Sequence, residues 1–173
     1  MEKHLVIERD WVEYSIYNLF GPTSLLAEGS ANYGIEVAFP WEERIAFERD
    51  VLFPIAGIDP NESALYYKVL KLMSKLAYAD NMVAQRYCDK KIADNQAIEL
   101  LMKYTLCTKE RATQRLSFYQ QNRSYVITYN FGQDLVHDYL TSKISSGSAQ
   151  ELWHEFTALL ARPKTASMMQ AEL

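Results

Sequence analysis

The residues of this sequence best able to do chemistry are three histidines, two cysteines and a scatter of carboxylates. A zinc hydrolase signature on one helix needs two histidines a turn apart with a glutamate base between them, the pattern H-E-x-x-H. His154-Glu155 begins such a pattern, but Ala158 stands where the second histidine should fall. His154 therefore reads as a helix-surface residue. His137, among Asp134, Asp138 and Tyr139, reads as a hydrogen-bonded helix-face histidine. Cys88 and Cys107 lack metal-site spacing and have no histidine nearby in sequence, so they read as helix thiols. A redox pairing of the two is a weaker idea. No nucleophile elbow, phosphate-binding loop or dinucleotide fingerprint is present. The paired carboxylates Glu42-Glu43 and Asp134/Asp138 read as helix surface.

The unusual acid is Glu28, in the stretch LLAEGSANYGI. On a helix, Leu25, Glu28, Asn32, Ile35 and Phe39 share a face, so Glu28 and Asn32 interrupt an apolar stripe. Gly29, Ser30 and Ala31 beside them are small and would let another helix, or a ligand, come close to the backbone. Gly29 and Gly34 each cost a helix about 1 kcal/mol relative to alanine, which calls for a packing or site reason. A buried carboxylate pairs, binds metal or takes up a proton. His4, Arg9, Arg44, Arg86 and Arg123 are candidate partners. Without other knowledge, a structural ion pair or polar network inside a helical bundle accounts for Glu28.

The elements that must hold these residues read as helices. The chain has 173 residues with 49% hydrophobic composition, enough for one domain with a sizeable core. Only six glycines and five prolines punctuate it. The periodicity predicts a first helix over about Glu2 to Phe20, with Leu5, Val12, Ile16 and Leu19 in one stripe. Helices ending near Pro40 and Pro54 follow. Asp59-Pro60-Asn61-Glu62 is a strong start for a long helix reaching about Lys91, with Leu65, Val69, Leu72, Leu76 and Ala79 in register. Asp94, Thr108 and a Ser148–Glu151 capping box start three more. SYVITYNF is rich in β-branched and aromatic residues, but no second strand exists to pair with it, so it is assigned to helix. The fold class expected is all-α, an irregular bundle of about seven or eight helices, mostly antiparallel neighbours. Residues 1–162 are expected to form a single helical domain and 163–173 a loose tail.

The net charge of −4 gives no basic footprint, so no nucleic-acid partner is expected. No signal peptide and no uncharged run of about 18 residues is seen, so no membrane partner is expected either. Two cysteines suit a reduced, cytoplasmic setting.

The ordered features His4, Trp11-Val12-Glu13, Leu26-Ala27-Glu28-Gly29-Ser30-Ala31, Leu106-Cys107-Thr108-Lys109-Glu110-Arg111-Ala112 and Ser124-Tyr125-Val126-Ile127-Thr128-Tyr129-Asn130-Phe131-Gly132 carry a likeness. Over residues 1 to about 145 the chain resembles the C-terminal half of a bacterial family of helical, gluzincin-like predicted zinc peptidases of unknown function. The resemblance implies that Glu28 is the third metal ligand and that Tyr129 donates to the developing oxyanion, with Gly132 allowing close approach. It implies that the two histidine ligands and the general base lie upstream of Met1, with His4 just past them. The chemistry implied is metal-assisted peptide hydrolysis. With one carboxylate and no imidazole pair, this chain alone is expected to be inactive, because a catalytic zinc takes about three protein ligands. Zinc and a peptide substrate are expected only if the upstream residues complete the site. The chain is then a fragment, an internal-start product or a natural short form. Its stripped surface predicts self-association into a homo-oligomer. The alternative is a non-enzymatic helical interaction or ligand-binding module, in which the 12 tyrosines line a groove.

Overall fold

The computed structural model describes residues 3–16, 18–162 and 164–173, and among these it is all-α with no strand. Its α-helices are α1 (Ser24–Ala38), α2 (Trp41–Phe47), α3 (Phe53–Ala56), α4 (Ser63–Ser74), α5 (Ala77–Cys88), α6 (Asp94–Thr105), α7 (Lys109–Asn122), α8 (Ile127–Lys143), α9 (Ala149–Ala161) and α10 (Ala166–Gln170). Where one domain was expected over 1–162, the backbone contacts separate two compact units. One takes residues 1–38 and 127–173, and the other takes Phe39–Val126.

The first unit is built on α1 and α8. Leu26, Tyr33 and Val37 of α1 pack with Leu135, Val136, Tyr139 and Leu140 of α8, and Phe156 and Leu159 of α9 close the core. The segment SYVITYNF enters α8 through a short 3₁₀ turn, Arg123–Val126, so its helical assignment holds despite its strand-like residues. The predicted first helix does not form as one piece. A π-helical turn spans Lys3–Glu8, Asp10 turns left-handed at φ 56°, and a 3₁₀ turn follows at Val12–Ser15. The break ends the stripe: Leu5 is buried, whereas Val12, Ile16 and Leu19 are exposed. Glu2, the expected start, lies outside the described residues.

Ser148 caps α9, its hydroxyl accepting from the Glu151 N–H at 3.2 Å. The Glu151 carboxylate reaches further back than a capping box requires. It accepts from the Ser145 and Ser146 N–H groups at 2.9 and 2.8 Å and from the Ser146 hydroxyl at 2.6 Å. Those bonds, the Ser146 hydroxyl foremost, hold its carboxyl below the usual glutamate range. A depressed folded pKa contributes stability above the unfolded value, about pH 4.3, and loses it as pH falls through the folded value. Glu151→Gln should therefore flatten the acid side of α9 fraying, followed as amide exchange at 149–155 between pH 5 and 2.

The segment expected to be a loose tail instead carries α10. Thr165 caps it, accepting from the Met168 N–H at 3.3 Å, and Met169 is fully buried in the α1–α8 core. Glu172 fastens the end to Lys164 and to the Tyr139 hydroxyl at 3.1 Å. Burying one methionine outweighs the composition PKTASMMQAEL that made the tail look free; Pro163 itself lies outside the described residues. Met169→Ala should cost about 2–5 kcal/mol in urea denaturation, and no measurable loss would return the tail to a loose segment.

In the second unit, α5, α6 and α7 enclose Val83, Ala84, Ala97, Leu101, Ala112, Leu116 and Tyr119. The expected helix ending near Pro54 divides into α2, a π-helical turn over Glu48–Leu52 and α3. Gly57 ends α3 at φ 71°, and the Ile58 N–H returns to the Phe53 carbonyl at 2.8 Å, a left-handed glycine stop. The Asp59 carboxylate accepts from the Asn61 N–H at 2.9 Å and starts the turn into α4. The long helix predicted to Lys91 breaks between Ser74 and Ala77 into α4 and α5. Thr108 caps α7 as expected. Asp94 does not cap α6. Ala93 takes that place, with the Gln96 side chain accepting from its N–H at 3.0 Å, while Asp94 is engaged by the Tyr87 hydroxyl.

Candidate functional site

Gly29 of α1 meets Gly132 of α8 almost backbone to backbone. A Cβ placed on Gly29 would lie 2.3 Å from the Gly132 carbonyl carbon and oxygen, and one on Gly132 would lie 2.6 Å from the Leu25 carbonyl oxygen. No side chain fits there, which is the packing reason for a glycine within each helix. The crossing sets Asn32 beside the first turn of α8. The Asn32 amide donates to the Tyr129 carbonyl at 3.1 Å, and one turn on Gln133 donates to Glu36 at 2.8 Å.

Glu28 does not lie in the core. The buried face of α1 is Leu26, Gly29, Ser30, Tyr33 and Val37. The predicted stripe through Leu25, Glu28, Asn32 and Ile35 lies beside it, Glu28 and Asn32 half-buried and Ile35 exposed. The small residues chosen by the α8 contact decide this: the helix turns its glycine, not its glutamate, toward its neighbour. Tyr129 is partly exposed on α8. Two of the suggested partners of Glu28 are engaged elsewhere. Arg44 pairs with Glu48 at 2.6 Å, and His4 lies 2.9 Å from Glu8.

His137 contacts Asp138 at 3.0 Å and sets its ring edge-on to Tyr33, while His154 is exposed beside Glu155. Cys88 and Cys107 are half-buried free thiols, and Cys88 donates to the Tyr119 carbonyl at 3.7 Å. Among the described residues no group of three or more histidines, cysteines, aspartates or glutamates could hold a metal ion. The described residues do not by themselves make up the set of about three protein ligands that a catalytic zinc takes.

Two features of the second unit were not anticipated. Asp80, buried on α5, accepts from the Arg115 guanidinium through both oxygens, the Nη2 contact at 2.8 Å, and also accepts from the Tyr119 hydroxyl. Burial, reinforced by the Asp80 carboxylate, pushes the Tyr119 phenol far above the usual tyrosine range. The partners lie 35 and 39 residues from Asp80 in sequence, too far for any local spacing to join them. A second bonded acid is Glu48. Burial disfavours its charge, but hydrogen bonds from Arg44 and Tyr67 prevail and hold its carboxyl low. The Tyr67 hydroxyl is pushed up to about 12 by burial and by Glu48.

The second feature is a cavity of about 560 Å³ at the ends of α5, α6 and α7. Lys90, Lys91, Asp94, Tyr119 and Arg123 are among its lining residues. Lys90 and Arg123 hold backbone at positive φ, 58° and 45°, which residues with a side chain rarely adopt.

No protein-family model, curated protein or solved structure matches the chain. Among the described residues the protein is all-α, and α1 and α8 cross at Gly29 and Gly132. No helix among the described residues is long and apolar enough to cross a membrane.

Proposed function

We propose that the chain is the scaffold of a zinc-peptidase-like protein that lacks a complete catalytic site and is inactive by itself. The supporting observation is the Gly29–Gly132 crossing, with the Asn32–Tyr129 bond. It brings the segment around Glu28 to the segment around Tyr129, the two in which the peptidase resemblance implies a metal ligand and an oxyanion donor. In this reading Glu28 is one ligand of an incomplete set, and the histidine ligands and general base come from residues outside this sequence. Zinc and a peptide substrate belong to the completed site alone. The two reduced thiols suit a cytoplasmic setting, and the exposed Ile7, Val12 and Ile16 favour self-association.

The test compares this chain with the product of the same reading frame extended upstream through its histidine–glutamate segment. The chain alone should hold no stoichiometric zinc and cleave no fluorogenic peptide. The extended product should hold one zinc, lost on Glu28→Ala, and should lose most of its turnover on Tyr129→Phe. Zinc retained in the Glu28→Ala variant, or peptide cleavage by the chain alone, would overturn the reading.

A second reading, a non-enzymatic helical interaction or ligand-binding module, is favoured by one observation. The apolar stripe expected in the core on α4 is exposed.

A further inference from the structure

Leu65, Val69, Leu72 and Leu76 follow one another at steps of four, three and four along α4 and the turn after it. Their exposures are 67%, 42%, 55% and 39%. Tyr66 and Met73 beside them are exposed as well, whereas Ser63 and Tyr67 on the opposite side are buried. The helix therefore turns an apolar face about a third of its circumference wide toward solvent. A strip with this spacing is what a second amphipathic helix covers.

The edge of the strip narrows the choice of occupant. Lys68, Lys71 and Lys75 run along one flank, all exposed. Spaced three and four residues apart, they repel one another. Among the described residues none of the three enters an ion pair. A second copy would not relieve them. The positions flanking the strip are Lys68 and Lys75 on one side and Tyr66 and Met73 on the other. Antiparallel pairing would set lysine against lysine, and parallel pairing would set lysine against tyrosine or methionine. A bilayer would meet both flanks at one depth, yet the second flank carries no charge.

We propose that α4 is the docking face for an acidic amphipathic helix of a partner protein. The partner's apolar residues, spaced three and four apart, lie on Leu65, Val69, Leu72 and Leu76, and its glutamates or aspartates meet Lys68, Lys71 and Lys75. The lysines fix orientation and register, and the leucines supply the burial. This deepens the interaction-module reading and is independent of the peptidase-like one.

The experiment uses the whole chain and a fluorescein-labelled designed helix with leucines at those spacings and glutamates on one flank. Its controls are a scrambled isomer and a version with lysine in place of each glutamate. Fluorescence anisotropy should show the acidic helix binding at least ~10-fold tighter than either control. The variant Lys68→Glu/Lys71→Glu/Lys75→Glu should reverse the preference toward the lysine version, and Leu72→Glu should abolish binding. Equal binding of the acidic and scrambled peptides, or indifference to charge reversal, overturns the proposal. Sedimentation and flotation run beside it. A dimer of the chain that Leu72→Glu dissociates assigns the face to a second copy, and pelleting with phosphatidylserine vesicles without peptide binding assigns it to a membrane. Either overturns the acidic partner while leaving the interaction reading. A face that takes none of the three removes both.

Discussion

Gly29→Ala should destabilise the α1–α8 unit by about 2 kcal/mol or more, although alanine is the better helix former. Propensity alone would favour the change by about 1 kcal/mol. The new methyl group, however, would lie 2.3 Å from the backbone of Gly132, where no rotamer change gives relief. The two helices must separate, and a clash between backbones falls at or beyond the upper end of the ~1–3 kcal/mol that overpacking usually costs. Gly34→Ala is the control on the same helix. Its Cβ meets only the tip of the Phe156 ring at 3.2 Å, a few tenths of an ångström from ordinary contact, so that variant should lose far less stability than Gly29→Ala. Urea denaturation of both variants decides the matter. If Gly29→Ala unfolds no more readily than Gly34→Ala, the close crossing is absent, and the adjacency of Glu28 and Tyr129 segments that supports the peptidase-like reading goes with it.

Asp80→Ala should cost the Phe39–Val126 unit about 3 kcal/mol. The Tyr119 hydroxyl, on a fully buried ring, would lose its acceptor, and an unsatisfied buried group costs about 1–3 kcal/mol. Arg115 would lose both charge-assisted bonds, which on removal from a buried pair costs about 3–5 kcal/mol. That figure is discounted here because the arginine side chain is 42% exposed and can turn to water. The interaction is separable from the rest of the core. Tyr119→Phe in the Asp80→Ala background should cost far less than in the wild type, since the hydroxyl has already lost its partner. Full additivity in thermal or urea melts would mean the two groups do not interact.

Much of the fold was legible because local chemistry and periodicity agreed. Thr108 and Ser148 cap the helices they were expected to cap. The candidate site was legible only as two segments, those holding Glu28 and Tyr129, which run past each other at Gly29 and Gly132. The orientation of Glu28 was not, because the hydrophobic pattern gave leucine and isoleucine more weight than glycine. In α1 the contact is made by the absence of a side chain at Gly29, which no hydrophobic spacing displays. The same weighting misplaced α4, where Leu65 and Leu72 share a face that this chain leaves open. The Asp80–Arg115–Tyr119 cluster was invisible because its members join only when α5 and α7 are packed. In the N-terminal stretch a single left-handed residue, Asp10, undid a stripe that looked continuous.

The order of the two units along the chain has a consequence for how the molecule is made. Phe39–Val126 interrupts the other unit, so α1 is translated early and its main neighbour, α8, only after residue 126. On the ribosome the inserted unit has all its residues available while α1 waits with its apolar face uncovered. Closing α1 on α8 is then a late step, spanning a sequence separation of 97 residues at the Asn32–Tyr129 bond, and slow relative to the local helices. A nascent chain halted before Ile127 should therefore engage chaperones through Leu26, Tyr33 and Val37.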